Sequence, residues 1–226
     1  MYGRNVMICF IIAMNKEAAP ILEKTKVISD ETRANKRIVR GQLHGVEIAA
    51  VICGVGKVNA ASGAQYAIDA LNADKIINVG VAGGLNGGCS VGELYAVSEA
   101  VQYDFDLTQL NGGKIGTLDE CKTNYLPLAH GKVYPLRKLA TGDRFNDNPA
   151  DYRLLTQTLN ADVRDMEGAA IAQVCMHADV PCYSYKIISD LAGSGSTTEQ
   201  YLNNLEICFN TLSEETETII NEVKNG

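Results

Sequence analysis

Apolar and polar positions along the chain alternate in a way that predicts strands and helices in turn. Residues 6–13 form a continuous apolar run, which is typical of a parallel strand buried on both faces. A helix is predicted to follow at once, because Asn15 can cap it and Pro20 lies close enough to its start to be tolerated. Further apolar segments predict a hairpin at 37–43 and 46–53, strands at 74–81, 91–100 and 132–141, and a long terminal helix at 201–225.

The most informative stretch, residues 163–191, predicts a helix followed by a strand. Met166 and Glu167 lie where the helix begins, Pro181 stops it, and the strand ends at Asp190. In a parallel α/β sheet, the start of such a helix and the end of such a strand lie on the same rim, where ligands bind. Two carboxylates that face one crevice suit the cleavage of a bond between a sugar and its leaving group.

Length and charge narrow the class of protein. The 226 residues are 46% apolar, enough for one sizeable core, so we expect a single α/β domain over residues 1–226. A net charge of −7 argues against nucleic-acid and membrane surfaces as partners. Every apolar run is shorter than the roughly 18 residues that span a bilayer, and residues 6–13 are too short to predict a signal peptide.

Cysteine and histidine usage predicts a reduced protein without a metal. Seven cysteines are scattered along the chain without a Cys-x-x-Cys pair, which favours free thiols and a cytoplasmic location. The three histidines have no metal-type spacing. Asp104 and Asp106 have no third ligand near them in the sequence, so a structural loop is preferred there. We therefore expect neither a metal nor another cofactor.

Two motifs in the informative stretch resemble a known family. Asp-Met-Glu-Gly-Ala-Ala at 165–170, followed by Ile-Ser-Asp at 188–190, is similar to the purine nucleoside phosphorylase superfamily, and in particular to its 5'-methylthioadenosine/S-adenosylhomocysteine nucleosidase branch. The resemblance runs from about Met7 to near the C-terminus. It implies a central mixed twisted β-sheet flanked by helices, a homodimer, and a place in purine nucleoside metabolism and methionine salvage.

The resemblance implies roles for residues that the pattern alone leaves open. Glu17, which by itself suits a helix N-terminus, would activate the attacking water. Asp190, with a raised pKa, would be the general acid at the purine, and Glu167 would accept from the ribose hydroxyls. Phe145, for which core packing and purine stacking are both open, would stack on the base. The remaining expected substrate contacts are Met166 on the sugar, backbone beside Asn146 on the base, Ala82 and Gly83 along base and ribose, and Ser189 beside the acid.

The chain also departs from the family pattern. Val81 stands where the nucleosidases usually carry Ser or Thr, so a hydroxyl that can hold water is missing. Residues 111–127 are rich in glycine and predict a mobile loop or lid that differs from the family's Pro-Gly lid. Leu110 is the expected apolar contact for the 5' substituent. Lys186 stands where the family often has Arg, which keeps the charge and loses a forked hydrogen bond.

The central alternative concerns the nucleophile. The phosphorylases carry a glycine-rich, arginine-bearing loop after the first strand, whereas residues 13–17 of this chain read Ala-Met-Asn-Lys-Glu. A carboxylate there repels phosphate and suits water, although Lys16 and Lys186 can favour phosphate. The expected function is hydrolysis of a purine nucleoside such as 5'-methylthioadenosine or S-adenosylhomocysteine. A phosphate-dependent phosphorylase and an inactive nucleoside-binding protein are the alternatives.

Overall fold

The computed structural model describes residues 6–226. The strands are β1 (Ile8–Ile12), β2 (Thr25–Arg33), β3 (Lys36–Leu43), β4 (Val46–Ile52), β5 (Lys75–Gly84), β6 (Leu94–Gln102), β7 (Leu126–Pro127), β8 (Leu136–Thr141), β9 (Val163–Asp165) and β10 (Cys182–Leu191). The helices are α1 (Asn15–Leu22), α2 (Lys57–Leu71), α3 (Thr108–Asn111), α4 (Pro149–Arg153), α5 (Gly168–His177) and α6 (Thr197–Asn225). A short π-helical turn at Leu154–Thr158 continues α4.

The strands form one mixed sheet that closes on itself in part. β1 runs parallel to β4 and β5, and β5 runs parallel to β10. From β10 the sheet continues through β6, β8 and β9, and β9 pairs with β5 again. Five strands therefore make a closed ring, while β4, β3 and β2 extend the sheet to an open edge. The predicted α/β fold with a mixed sheet flanked by helices is confirmed.

Two helical layers cover the sheet, and the first strand explains why its sequence is apolar throughout. Successive side chains of a strand point to opposite faces. Cys9 and Ile11 of β1 belong to the apolar cluster that contains α2 and α5. Ile8, Phe10 and Ile12 belong to the cluster that contains α1 and α6. All five side chains are buried, as the unbroken run predicts.

Several predicted boundaries were wrong for local reasons. β2 was missed because it is an edge strand whose side chains are mostly polar and exposed. Residues 163–165 form β9, which was also missed, since three residues are too few to show a strand period. Met14, rather than Asn15, occupies the N-cap of α1, and Asn15 instead accepts a hydrogen bond from Arg37.

The last helix is amphipathic and lies along the sheet. α6 packs its buried side chains against β10, and Ser196 caps it by accepting from the backbone N–H of Glu199. Within residues 6–226, none of the helices combines the length and apolar character that a membrane crossing requires.

Candidate active site

A cavity of about 230 Å³ opens where the carboxyl ends of β1, β5 and β10 meet. Of the ten residues predicted to act in catalysis or binding, eight line it: Glu17, Ala82, Gly83, Phe145, Met166, Glu167, Ser189 and Asp190. The turn after β1, the strand β5 and the turn before α5 each supply part of its wall. The three acids thus come together at the carboxyl ends of the parallel strands, which is the edge of the sheet where the sequence predicted them.

Glu17 is held at the start of α1 by two backbone amides. Its Oε1 accepts from the N–H of Val81 at 3.0 Å and its Oε2 from the N–H of Met14 at 3.1 Å. The side chain is buried, which raises its pKa, while these two amides and the ammonium of Lys186 act in the opposite direction. Gly80 leaves the room that the carboxylate occupies, since a Cβ there would lie 2.7 Å from Oε1.

Asp190 lies near the end of β10, just after an irregularity in its pairing with β5. Its Oδ1 accepts from the Ser189 hydroxyl at 2.7 Å. Its Oδ2 is buried and has no hydrogen-bond partner among the described residues. Burial raises the pKa of the Asp190 carboxyl, and the Ser189 hydroxyl and the charge of Arg164 partly offset this. The expected direction of the pKa shift is confirmed.

Glu167 stands at the N-cap of α5 and reaches the turn before α2. Its Oε1 accepts from the N–H of Gly56 at 2.8 Å. Burial, together with the neighbouring Asp165 carboxylate, raises the pKa of Glu167 to about 7, against the opposing charge of Lys186. The charge of Glu17, which lines the same cavity, adds to this upward shift of the Glu167 pKa.

A buried ion pair between Lys186 and Asp165 interacts with these acids. Lys186 Nζ lies 2.9 Å from Asp165 Oδ2, and both side chains are almost completely buried. Asp165 also accepts from the Thr141 hydroxyl at 2.5 Å and from the N–H of Gly168 at 2.8 Å, which fixes the start of α5. Burial alone lowers the pKa of Lys186, but the nearby carboxylates of Asp165 and Glu167 raise it overall.

Phe145 and Tyr201 form the aromatic side of the cavity. Phe145 follows β8 in a loop, is half exposed, and meets the Tyr201 ring edge-on with centroids 5.6 Å apart. Tyr201 comes from α6 and was not predicted from the sequence as a site residue. Its position on an amphipathic helix gave no signal that distinguishes a cavity residue from a core residue.

Two predicted contacts do not line the cavity in the described chain. The side chain of Asn146 donates to Asp151 Oδ2 at 2.9 Å, and its backbone carbonyl accepts from Arg164 at 2.8 Å. Leu110 lies on α3 and is 85% exposed. The substrate contacts proposed for both residues stay predictions.

The loop predicted as a lid is tied to α5 at several points. Leu118 is buried, Cys121 Sγ lies 3.9 Å from Met176 Sδ, and His177 pairs with Glu120 at 2.7 Å.

Asp104, instead of facing a metal, binds the ammonium of Lys57 at 2.5 Å. No group of His, Cys, Asp or Glu side chains suited to a metal ion occurs within residues 6–226.

A sheet that closes into a ring and a cavity lined by acids define the class of this protein. Comparison with known sequences identifies the family. The model of the phosphorylase superfamily matches residues 7–224, and the chain belongs to this family. It is 33% identical over 211 residues to a 5'-methylthioadenosine/S-adenosylhomocysteine nucleosidase of Anoxybacillus flavithermus, a match that covers 86% of this chain and 90% of the relative.

Two further comparisons agree with this placement. The chain is 30% identical over 197 residues to an aminodeoxyfutalosine nucleosidase of Campylobacter jejuni, covering 82% of this chain and 86% of the relative. Its fold matches the structure of a futalosine hydrolase of Helicobacter pylori with a TM-score of 0.88 and 24% identity, over 96% of this chain and 98% of that one.

Proposed function

We propose that this protein hydrolyses the N-glycosidic bond of an adenosine-type purine nucleoside, such as 5'-methylthioadenosine or S-adenosylhomocysteine, and releases the free base. The observation that carries the proposal is the convergence of Glu17, Glu167 and Asp190 on one cavity. The names of the relatives, which are nucleosidases of this kind, support the choice of substrate.

Asp190 is the proposed general acid. Cleavage of an N-glycosidic bond leaves positive charge on the sugar and electrons on the base, so protonation of the purine at N7 makes departure easier. Within residues 6–226, Oδ2 of Asp190 has no hydrogen-bond partner, it lies next to Gly83, and burial raises the pKa of its carboxyl. A carboxyl that holds a proton at the base end meets the requirement for this step.

Glu17 is the proposed base for the attacking water, and Glu167 is the proposed ribose ligand. Both oxygens of Glu17 are fixed by backbone amides, so the carboxylate is preorganised before substrate arrives. The N–H of Val81 takes part in this, although its side chain offers no hydroxyl for water. Glu167 can accept from the 2'- and 3'-hydroxyls, and its charge stabilises the cationic sugar of the transition state.

The charges around the cavity favour water over phosphate as the nucleophile. Lys186 is paired with Asp165 beneath the site, and Lys16 is exposed. Arg144, which lines the cavity, pairs with Asp151, while Arg164 lies beside Asp190 at the base end. Among the described residues, the two arginines that line the cavity each lie beside another carboxylate. Glu17 and Glu167 therefore leave their side of the cavity unfavourable for an anion such as phosphate.

Release of free adenine from 5'-methylthioadenosine by the purified protein, with and without phosphate, tests the proposal. We expect release without phosphate. Release that requires phosphate indicates the phosphorylase, and binding without release indicates the inactive nucleoside-binding protein.

In the same assay, Asp190→Asn and Glu17→Gln are each expected to reduce turnover by about 10²–10⁴-fold. The matched controls are Asp69→Asn and Glu47→Gln, which make the same chemical changes at exposed acids. Near-normal rates in Asp190→Asn or Glu17→Gln would refute the role assigned to that residue.

We also propose that the protein works as a homodimer in the cytoplasm. Val58 and Leu110 are each more than four-fifths exposed, and Lys57, next to Val58, binds Asp104 in the segment that leads to α3. Exposed apolar side chains of this kind suit contact with a second copy of the chain. All seven cysteines are free, as expected of a reducing compartment. A monomeric mass by light scattering at micromolar concentration would contradict the dimer.

A further inference from the structure

Arg164 is a largely buried arginine at the proposed base end of the cavity, and the roles above leave it unused. It lies on β9, where it pairs with Gly83 of β5. Its side chain is 11% exposed, and Nη1 donates to the carbonyl of Asn146 at 2.8 Å. The guanidinium is thus fixed by a backbone group and lines the cavity next to Asp190.

Two buried polar atoms face each other at this point without a hydrogen bond. Arg164 Nη2 and Asp190 Oδ2 both lack a hydrogen-bond partner among the described residues, and they lie 4.0 Å apart. This separation is too long for a hydrogen bond but short enough for strong attraction between opposite charges in a buried place. Unsatisfied buried groups are rare in folded proteins, and a functional site is one reason for them to persist.

A missing side chain makes this approach possible. A Cβ on Gly83 would lie 2.8 Å from Asp190 Oδ2 and 3.1 Å from Arg164 Nε. Any other residue at this position would therefore displace the carboxyl, the guanidinium or both. The sequence signal for the arrangement is the glycine pair at the end of β5, opposite an arginine on β9.

We propose that Arg164 is a positioning residue that stabilises the carboxylate form of Asp190 as its proton passes to the base. This inference rests on the proposed hydrolysis. In that step the Oδ2–H bond of Asp190 breaks, a bond from the same proton to purine N7 forms, and the electron pair of the C1'–N9 bond stays with the base. The water oxygen bonds to C1' while Glu17 takes its proton. Asp190 ends the step as an anion 4.0 Å from the guanidinium.

The surroundings of Asp190 make Arg164 the cation that favours ionisation. The other groups that interact with this carboxyl are the Ser189 hydroxyl, the Asp147 carboxylate, Tyr201 and Cys208. Asp147 acts against ionisation of Asp190, and the Ser189 hydrogen bond acts in favour of it. Removal of the arginine charge therefore makes Asp190 a weaker acid, with its proton held to higher pH.

The pH dependence of kcat in Arg164→Met, with Arg164→Lys as the conservative variant, tests the inference. Arg153→Met, which removes an exposed arginine from α4, is the matched control. We expect Arg164→Met to lower kcat by about tenfold and to move the alkaline limb of the profile up by about one pH unit, because a nearby charge shifts a carboxyl pKa by about that much or more. KM should change little, and the lysine variant should restore part of kcat.

Two kinetic results would overturn the inference. A loss of kcat that is equal at every pH, with the alkaline limb unmoved, would indicate a merely structural role. A raised KM with unchanged kcat would mean that Arg164 binds the base itself. Carbon-13 NMR titration of the Asp190 carboxyl, assigned with Asp190→Asn, gives a readout that needs no turnover. An unchanged midpoint in Arg164→Met refutes the coupling, whereas absence of base release by the wild type refutes only the proposed function.

Discussion

Replacement of Glu167 by glutamine is expected to stabilise the fold in a pH-dependent way. The Glu167 carboxyl is largely buried at the start of α5, and the charges of Asp165 and Glu17 act on it. Glutamine keeps the shape and leaves an oxygen that can accept from the N–H of Gly56, but it carries no charge. The substitution therefore removes one buried charge with little change in packing.

The size of the effect follows from the two protonation equilibria. Burial and the neighbouring carboxylates raise the pKa of Glu167 from its ordinary value of 4.5 to about 7 in the folded chain. Below about pH 4.5 both states hold the proton, so the charge costs nothing. As pH rises towards 7, Glu167 ionises first in the unfolded state. The free energy of unfolding of the wild type therefore falls, by about 3 kcal/mol in total. Above pH 7 this cost is constant.

Urea unfolding at several pH values between 5 and 8.5 measures this difference. The free energy of unfolding of Glu167→Gln, relative to wild type, should rise through this range by most of about 3 kcal/mol. Glu47→Gln, which neutralises an exposed glutamate on β4, is the control and should follow the wild type. If the free energies of unfolding of wild type and Glu167→Gln changed in parallel with pH, the pKa of the Glu167 carboxyl would not lie near 7. The reasoning would then fail.

Two further substitutions test the support beneath the acids. Lys186→Met leaves Asp165 buried without its cation, so urea unfolding at pH 7 should show a loss of about 3–5 kcal/mol, and a loss below about 1 kcal/mol would contradict the pair's importance. Gly80→Ala places a Cβ 2.7 Å from Glu17 Oε1 and should reduce base release through a displaced carboxylate. Gly87→Ala, at a position with open space around it, is the comparison, and equal rates in the two variants would refute this account.

The acids could be predicted to meet because each stands at a recognisable junction. Glu17 follows an apolar run that is typical of a buried strand, Glu167 precedes an apolar helix, and Asp190 lies near the end of a strand. The rule that strand ends share a rim then places all three together. The fold class follows from the same alternation of strands and helices, strengthened by the family resemblance.

The remaining features depend on pairings between distant segments. Closure of the sheet requires β5 to pair with both β10 and β9, and the three residues of β9 carry no strand period of their own. The pairing of Lys186 with Asp165 follows from this closure, because it brings β10 and β9 to either side of β5. From the sequence, Lys186 was a departure from the family pattern and a residue that can favour phosphate. Its neutralisation by a buried aspartate became visible with the three-dimensional contacts.

The cavity has a different charge at each end, and this difference matches the proposed reaction. Glu17 and Glu167 interact with each other, while Asp190 interacts with Arg164 instead. Tyr201 lines the same cavity, and its burial together with the charges of all three acids raises its pKa. As an N-glycosidic bond breaks, the sugar becomes positive and the base gains electrons. In the proposed reaction, two carboxylates lie beside the sugar, and an acid beside an arginine lies at the base. Both arrangements would lower the energy of that charge separation, so preorganised electrostatics can supply much of the catalysis.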